Sequence, residues 1–198
     1  MPVSPTEISA VVVTKGDRDI SHITESLKHF GELLVYDNRK SKDYKVYGRF
    51  VGARMAKYGV VYVQDDDTIV DSRELVAQWH PGEVLCNMPR NRRADYEGTG
   101  IALIGYGCVF ERGAVAVFRQ YWRHYRKDEL FHRECDRVFT FLNRDRVRLT
   151  QVPLQQLSYA SGGDRMGREM RHADDLRKIR ARLERLGRET MRGIGHES

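Results

Sequence analysis

No apolar run in this chain is long enough to cross a bilayer, and the opening Met1-Pro2-Val3-Ser4-Pro5 lacks the basic and apolar regions of a secretion signal. Stable membrane insertion is therefore not expected, and cytoplasmic placement is the default expectation. Cysteine is scarce. Cys86, Cys108 and Cys135 are odd in number and widely spaced, which argues against a disulfide framework or a thiolate zinc site and for reduced core thiols. No internal repeat or long heptad array is present, so neither a solenoid nor a coiled coil is expected. The loop after the first apolar run has no glycine-rich, lysine-bearing phosphate motif, and no recognised nucleic-acid motif occurs.

The 198 residues suffice for one well-buried domain with a tail. A hydrophobic fraction of 40% and a charged fraction of 31% describe a chain that folds by itself. The net charge of +6 suits nucleic acid, a diphosphate ligand, an acidic acceptor or an anionic membrane surface, and does not choose among them.

Periodicity orders the chain. Ile8 to Thr14 is a β-branched run that stops at Lys15-Gly16-Asp17, so it reads as a buried first strand. Asp19 or Ser21 can cap a helix carrying Ile20, Ile23, Leu27 and Phe30. Leu33 to Tyr36 forms a second strand ending at Asp37-Asn38, Arg39 to Lys45 is a polar loop, and Phe50, Val51, Met55 and Ala56 fit a helix that Gly59 ends. The third strand begins at Val60 and runs into Asp65-Asp66-Asp67. Further on, the pattern predicts a short helix to Trp79, a strand over Glu83 to Asn87, and a basic rim loop or solvated loop at Arg90 to Tyr96. Ile101 to Phe110 reads as strand, close backbone approach at its glycines, then strand. Gly113 to Tyr125 and Phe131 to Leu142 read as helices, Val147 to Val152 as a last strand, and Ser158 to Met170 as a flexible loop. Leu176, Ile179, Leu183 and Leu186 give an amphipathic terminal helix. Strands alternating with helices imply an α/β fold with a mostly parallel sheet, whose ligands sit beyond the carboxyl ends of the strands.

Asp65, Asp66 and Asp67 admit two readings. One is a solvated acidic turn; the other is a site for a hard divalent cation, since adjoining carboxylates repel unless a counter-charge is supplied. The acids of Glu134-Cys135-Asp136 read either as functional groups or as carboxylates stabilised near a helix N-terminus.

Val63-Gln64-Asp65-Asp66-Asp67-Thr68 resembles the Asp-x-Asp segment of GT-A glycosyltransferases, most closely the exostosin-like branch. In the same order, Tyr36-Asp37-Asn38 resembles that branch's second-strand ending and Gly48-Arg49-Phe50 its Asn-Arg-Phe element. Leu103 to Phe110 resembles its glycine-containing acceptor strand, and Glu134-Cys135-Asp136 its Glu-Asp pair. The resemblance covers most of residues 8 to 180. It implies a single GT-A (Rossmann-like) domain over residues 1–170, with a C-terminal helix and tail over 171–198.

It also implies a hexosyl- or N-acetylhexosaminyltransferase using a nucleotide sugar, chiefly a UDP-sugar, with Mn²⁺ or Mg²⁺ and a glycan, protein or lipid-linked acceptor. Thr14, Lys15, Asp37 and Asn38 would lie near the nucleoside, and Arg49 and Arg54 would face Asp65 or the diphosphate. Asp67 would hold the metal, with His172 as a further candidate ligand. Asp65 would reach the ribose or a metal-bound water, and Asp66 is the acid whose loss is expected to matter least. Gly105 would let the ligand approach, Arg168 or Arg171 would serve the diphosphate, and Asp136 would act at the reaction centre. Gly48 departs from the pattern where an Asn is expected. Nucleotidyl transfer and a non-catalytic basic nucleic-acid-binding domain are the alternatives; basic residues interspersed with acids make nucleic acid the less expected partner.

Overall fold

The computed structural model describes residues 3–96, 101–125, 128–157 and 177–185. The first strand, β1 (Ile8–Thr14), is buried at all seven of its residues. It runs parallel to β2 (Glu32–Asp37) on one side and to β3 (Val60–Asp65) on the other. β5 (Val84–Asn87), β6 (Cys108–Glu111) and β7 (Val147–Thr150) complete a six-stranded sheet in the order β2-β1-β3-β6-β5-β7. Only β6 runs against its neighbours. The fold is therefore α/β, with a mostly parallel mixed sheet between two layers of helices.

Alternation along the strands sorts side chains to the two faces. Val11, Val61, Val63, Cys86, Cys108 and Phe110 point to one core, and Ala10, Val12, Tyr62, Leu85 and Val109 to the other. The first core is covered by α2 (Gly48–Met55), α5 (Phe118–Tyr125) and α6 (Glu129–Leu142). A further helix, α7, spans 177–185 and buries Ile179 and Leu183 in this core, as the terminal apolar spacing predicts. The second core is covered by α1 (Ser21–Ser26) and α3 (Ser72–Ala77), the latter capped by Asp71, whose Oδ1 accepts from Glu74 N at 3.0 Å. α2 lies close on the sheet: a Cβ on Gly52 would come within 2.6 Å of Val11 Cγ1, and one on Gly48 would run into the Tyr36 ring. This close packing accounts for Gly48 where the resemblance expects Asn.

Several elements differ from the sequence expectations. The basic stretch expected as a loop is a helix, α4 (Arg90–Tyr96), whose first turn is closed by Arg92 N and Arg93 N bonding to Pro89 O at 2.9 and 3.0 Å. Its far end is tied down by Arg137 Nη2, which donates to Tyr96 Oη at 3.1 Å. Residues 101–104 are not a strand. They pack on α6, where Thr140 Oγ1 accepts from Ala102 N at 2.9 Å, replacing a sheet neighbour. The helix expected from Gly113 begins as a 3-10 turn over Arg112–Val117. β4 (Thr68–Val70) leaves the main sheet after the acids and pairs with β8 (Leu154–Gln156). Finally, α6 starts earlier than expected, with Asp128 Oδ1 accepting from Leu130 N at 2.8 Å. Glu134 and Asp136 thus sit in mid-helix, beyond the first turn where the dipole acts, and their charges need side-chain partners.

Among the described residues no helix is long and apolar enough to cross a membrane. All three cysteines are buried free thiols.

Candidate functional site

The register sets the ends of the first three strands level: Thr14 lies beside Asp37, and Val13 beside Asp65. Beyond them opens a cleft of about 800 Å³. Thr14, Lys15 and Asn38 line it together with Asp65, Asp66 and Asp67. Asp37 lies in an adjoining hollow of about 430 Å³ that shares Thr14, Arg18 and Arg39 with the main cleft.

Behind the acids stands Arg49, whose side chain is 1% exposed. Its Nη2 donates to Asp65 Oδ1 at 2.5 Å, and its Nη1 faces Asp136 Oδ2 at 3.2 Å without the alignment of a hydrogen bond. One cation thus serves an acid at the end of β3 and another on α6. Burial pushes the Asp136 carboxyl up to about 6; Arg49 pulls it back, while Asp65 and Glu134 add repulsion. The Asp65 backbone N–H donates to Gly105 O at 2.8 Å, and a Cβ at Gly105 would run into the Asp65 carboxylate. Gly105 therefore makes room for the Arg49-bound form of Asp65 and does not itself line the cleft.

Asp66 and Asp67 form the turn between β3 and β4. Burial raises both carboxyls. For Asp66 the Thr14 hydroxyl and Arg18 offset part of the rise, whereas Asp65 and Asp17 add to it. For Asp67 the charge of Asp65 adds to burial, and the Thr68 hydroxyl, donating to Oδ1 at 3.1 Å, works the other way. Arg18 Nη1 approaches Asp66 Oδ1 at 3.8 Å. Among the described residues no group of three or more His, Cys, Asp or Glu side chains could by itself hold a metal. Two adjoining, partly desolvated carboxylates nonetheless fit a hard divalent cation of the kind completed by a ligand's phosphates and water.

The facing wall is built from the loop after β2 and from α6. Asp43, Lys45 and Val46 line it from the loop, and Arg133 and Glu134 from the helix. Glu134 is 2% exposed and is paired with Arg137. Asp136, two residues further along α6, contacts Arg49 and not the cleft. Arg54 is exposed on α2, interacts with Tyr47 and does not line the cleft. Arg168, Arg171 and His172 lie outside the described residues.

The sequence reading missed Arg18, Arg39, Lys45 and Arg133 as site residues. The first three follow the ends of β1 and β2, so the rule that ligands gather beyond parallel strand ends was a usable signal for them. Arg133 carried no such signal, because only tertiary packing brings α6 to the cleft. The chain matches no protein-family model and no curated protein in sequence, so the case for its function rests on these side chains.

Proposed function

We propose that this protein is a metal-dependent glycosyltransferase that moves a sugar from a nucleoside-diphosphate sugar, UDP-linked by the sequence resemblance, to a hydroxyl on a glycan, protein or lipid-linked acceptor. The observation that carries the reading is the pair Asp66 and Asp67. Both are held partly desolvated on a cleft beyond parallel strand ends, with their carboxyls raised by burial and by neighbouring negative charge. Asp67, with Asp66 beside it, would hold Mn²⁺ or Mg²⁺, and the ion would neutralise charge on the departing diphosphate.

The chain's own groups do the rest. Arg49 fixes Asp65, whose side chain remains 37% exposed and so open to a ribose hydroxyl. Lys15, Arg18, Arg39 and Arg133 place positive charge along the cleft for the phosphates. Asp136 acts in this reading through Arg49, and Glu134 is the α6 carboxylate on the cleft wall.

The test is calorimetric titration of Mn²⁺ with a panel of UDP- and GDP-sugars, followed by product analysis. Saturable binding that needs the metal is expected, and Asp67→Ala should weaken it at least about tenfold, the scale of losing a charged contact. The same variant should fold normally, since it removes a carboxyl that burial disfavours. Absence of metal-dependent binding across the panel, or indifference to Asp67→Ala, would overturn the reading. Release of pyrophosphate in place of nucleoside diphosphate would mark a nucleotidyltransferase.

A further inference from the structure

Lys45 has a φ of +54°, the only positive value at a non-glycine position among the described residues. An L side chain is disfavoured in this left-handed region, and the conformation persists only where surrounding contacts impose it. Here the contacts come from Asn38. Its Nδ2 donates to Lys45 O and to Thr14 O, both at 3.1 Å, while its Oδ1 accepts from Tyr44 N at 3.0 Å. Both amide donors are therefore committed to the chain's own backbone. Asp43 completes the hold: its Oδ1 accepts from Lys45 N at 2.9 Å and its Oδ2 from Lys45 Nζ at 3.1 Å.

The result is a lysine kept on the cleft wall at a conformational cost, its side chain 45% exposed, with Arg39 and Arg133 lining the same space. A surface Lys–Asp pair alone gives little return for such strain. Resting on the nucleotide-sugar reading above, we infer that Lys45 binds a phosphate of the donor and that Asn38 is the residue that positions it, not a nucleoside contact. Without ligand the ammonium rests on Asp43. An arriving phosphate, with more charge and more acceptor oxygens, takes it over. Asn38 contributes by keeping the loop from relaxing Lys45 into an ordinary backbone conformation that withdraws it from the wall.

Two probes separate the phosphate from the nucleoside: inorganic pyrophosphate with Mn²⁺, and uridine, each titrated calorimetrically against the full chain. Lys45→Met should weaken pyrophosphate about tenfold and leave uridine unchanged, whereas Lys45→Arg should stay within about threefold of the parent. Asn38→Ala should weaken pyrophosphate by a similar factor, and the double variant should be no worse than Lys45→Met alone, because both changes remove one contact. Lys45→Gly, which suits the observed φ, should melt no lower than the parent while losing the same affinity.

Parent-like pyrophosphate binding by Lys45→Met overturns the inference and leaves the nucleotide-sugar reading standing. An Asn38→Ala effect that adds to that of Lys45→Met, or falls equally on uridine, overturns the positioning role. If the parent binds pyrophosphate through Lys45 but no nucleotide sugar, the functional reading fails and the phosphate site stands. If it binds neither, both fall before any variant is made.

Discussion

Arg49 carries its charge where water does not reach, and two carboxylates balance it. Taking one partner away from such a group is strongly destabilising, because the remaining charge stays buried. Asp136 is the more deeply placed partner and has a measurable signature. Its folded carboxyl titrates near 6, against an ordinary value of 3.8. Below about pH 4 both folded and unfolded chains hold the proton, and the full contribution of this group to stability is present. As the pH rises from there through 6, the unfolded chain releases the proton first and that contribution is lost, about 3 kcal/mol in all. Urea unfolding of Asp136→Asn at steps between pH 4 and 7 should therefore show a flatter pH dependence than the parent. An unchanged slope would mean that Asp136 is ionised throughout the range.

Among the elements, α6 joins the most features: it faces the cleft with Arg133 and Glu134, meets Arg49 with Asp136, and holds residues 101–104 through Thr140. Thr140→Val keeps the shape but leaves Ala102 N buried without its acceptor. The expected loss is about 1–3 kcal/mol, read as a lower urea midpoint with faster hydrogen exchange at Ala102. Exchange no faster than in the parent would show that another group takes over the bond. The sequence made β1, β2 and β3 legible because each is a compact apolar run bounded by polar or glycine residues. It made the three acids legible because they end such a run. It could not show β4, since Thr68–Val70 becomes a strand only by pairing with Leu154–Gln156, far along the chain. Residues 101–104 misled for the opposite reason: they are as apolar as a strand, yet the Ala102 N–H bonds to a helix side chain in place of a neighbouring strand. Lys45 stayed hidden because a left-handed φ at a lysine leaves no trace in local propensity.

At the scale of the molecule, the strand order places β6 between β3 and β5, although β5 precedes it in the chain. A chain ending at Gly107 would therefore have β3 with one edge unpaired. Exposed edges of apolar strands recruit other chains, so this truncation should form aggregates on size-exclusion chromatography where the full chain does not. A soluble monomeric truncation would show that the first half closes its own edge. The same order has a consequence for how the protein comes into being. During synthesis Asp65, Asp66 and Asp67 emerge well before α6, so the nascent chain carries its acids before it has the Arg133 and Glu134 wall of the cleft. Ordinary water then surrounds those carboxylates. Their full surroundings are complete only once the second half of the chain, with α6, is in place.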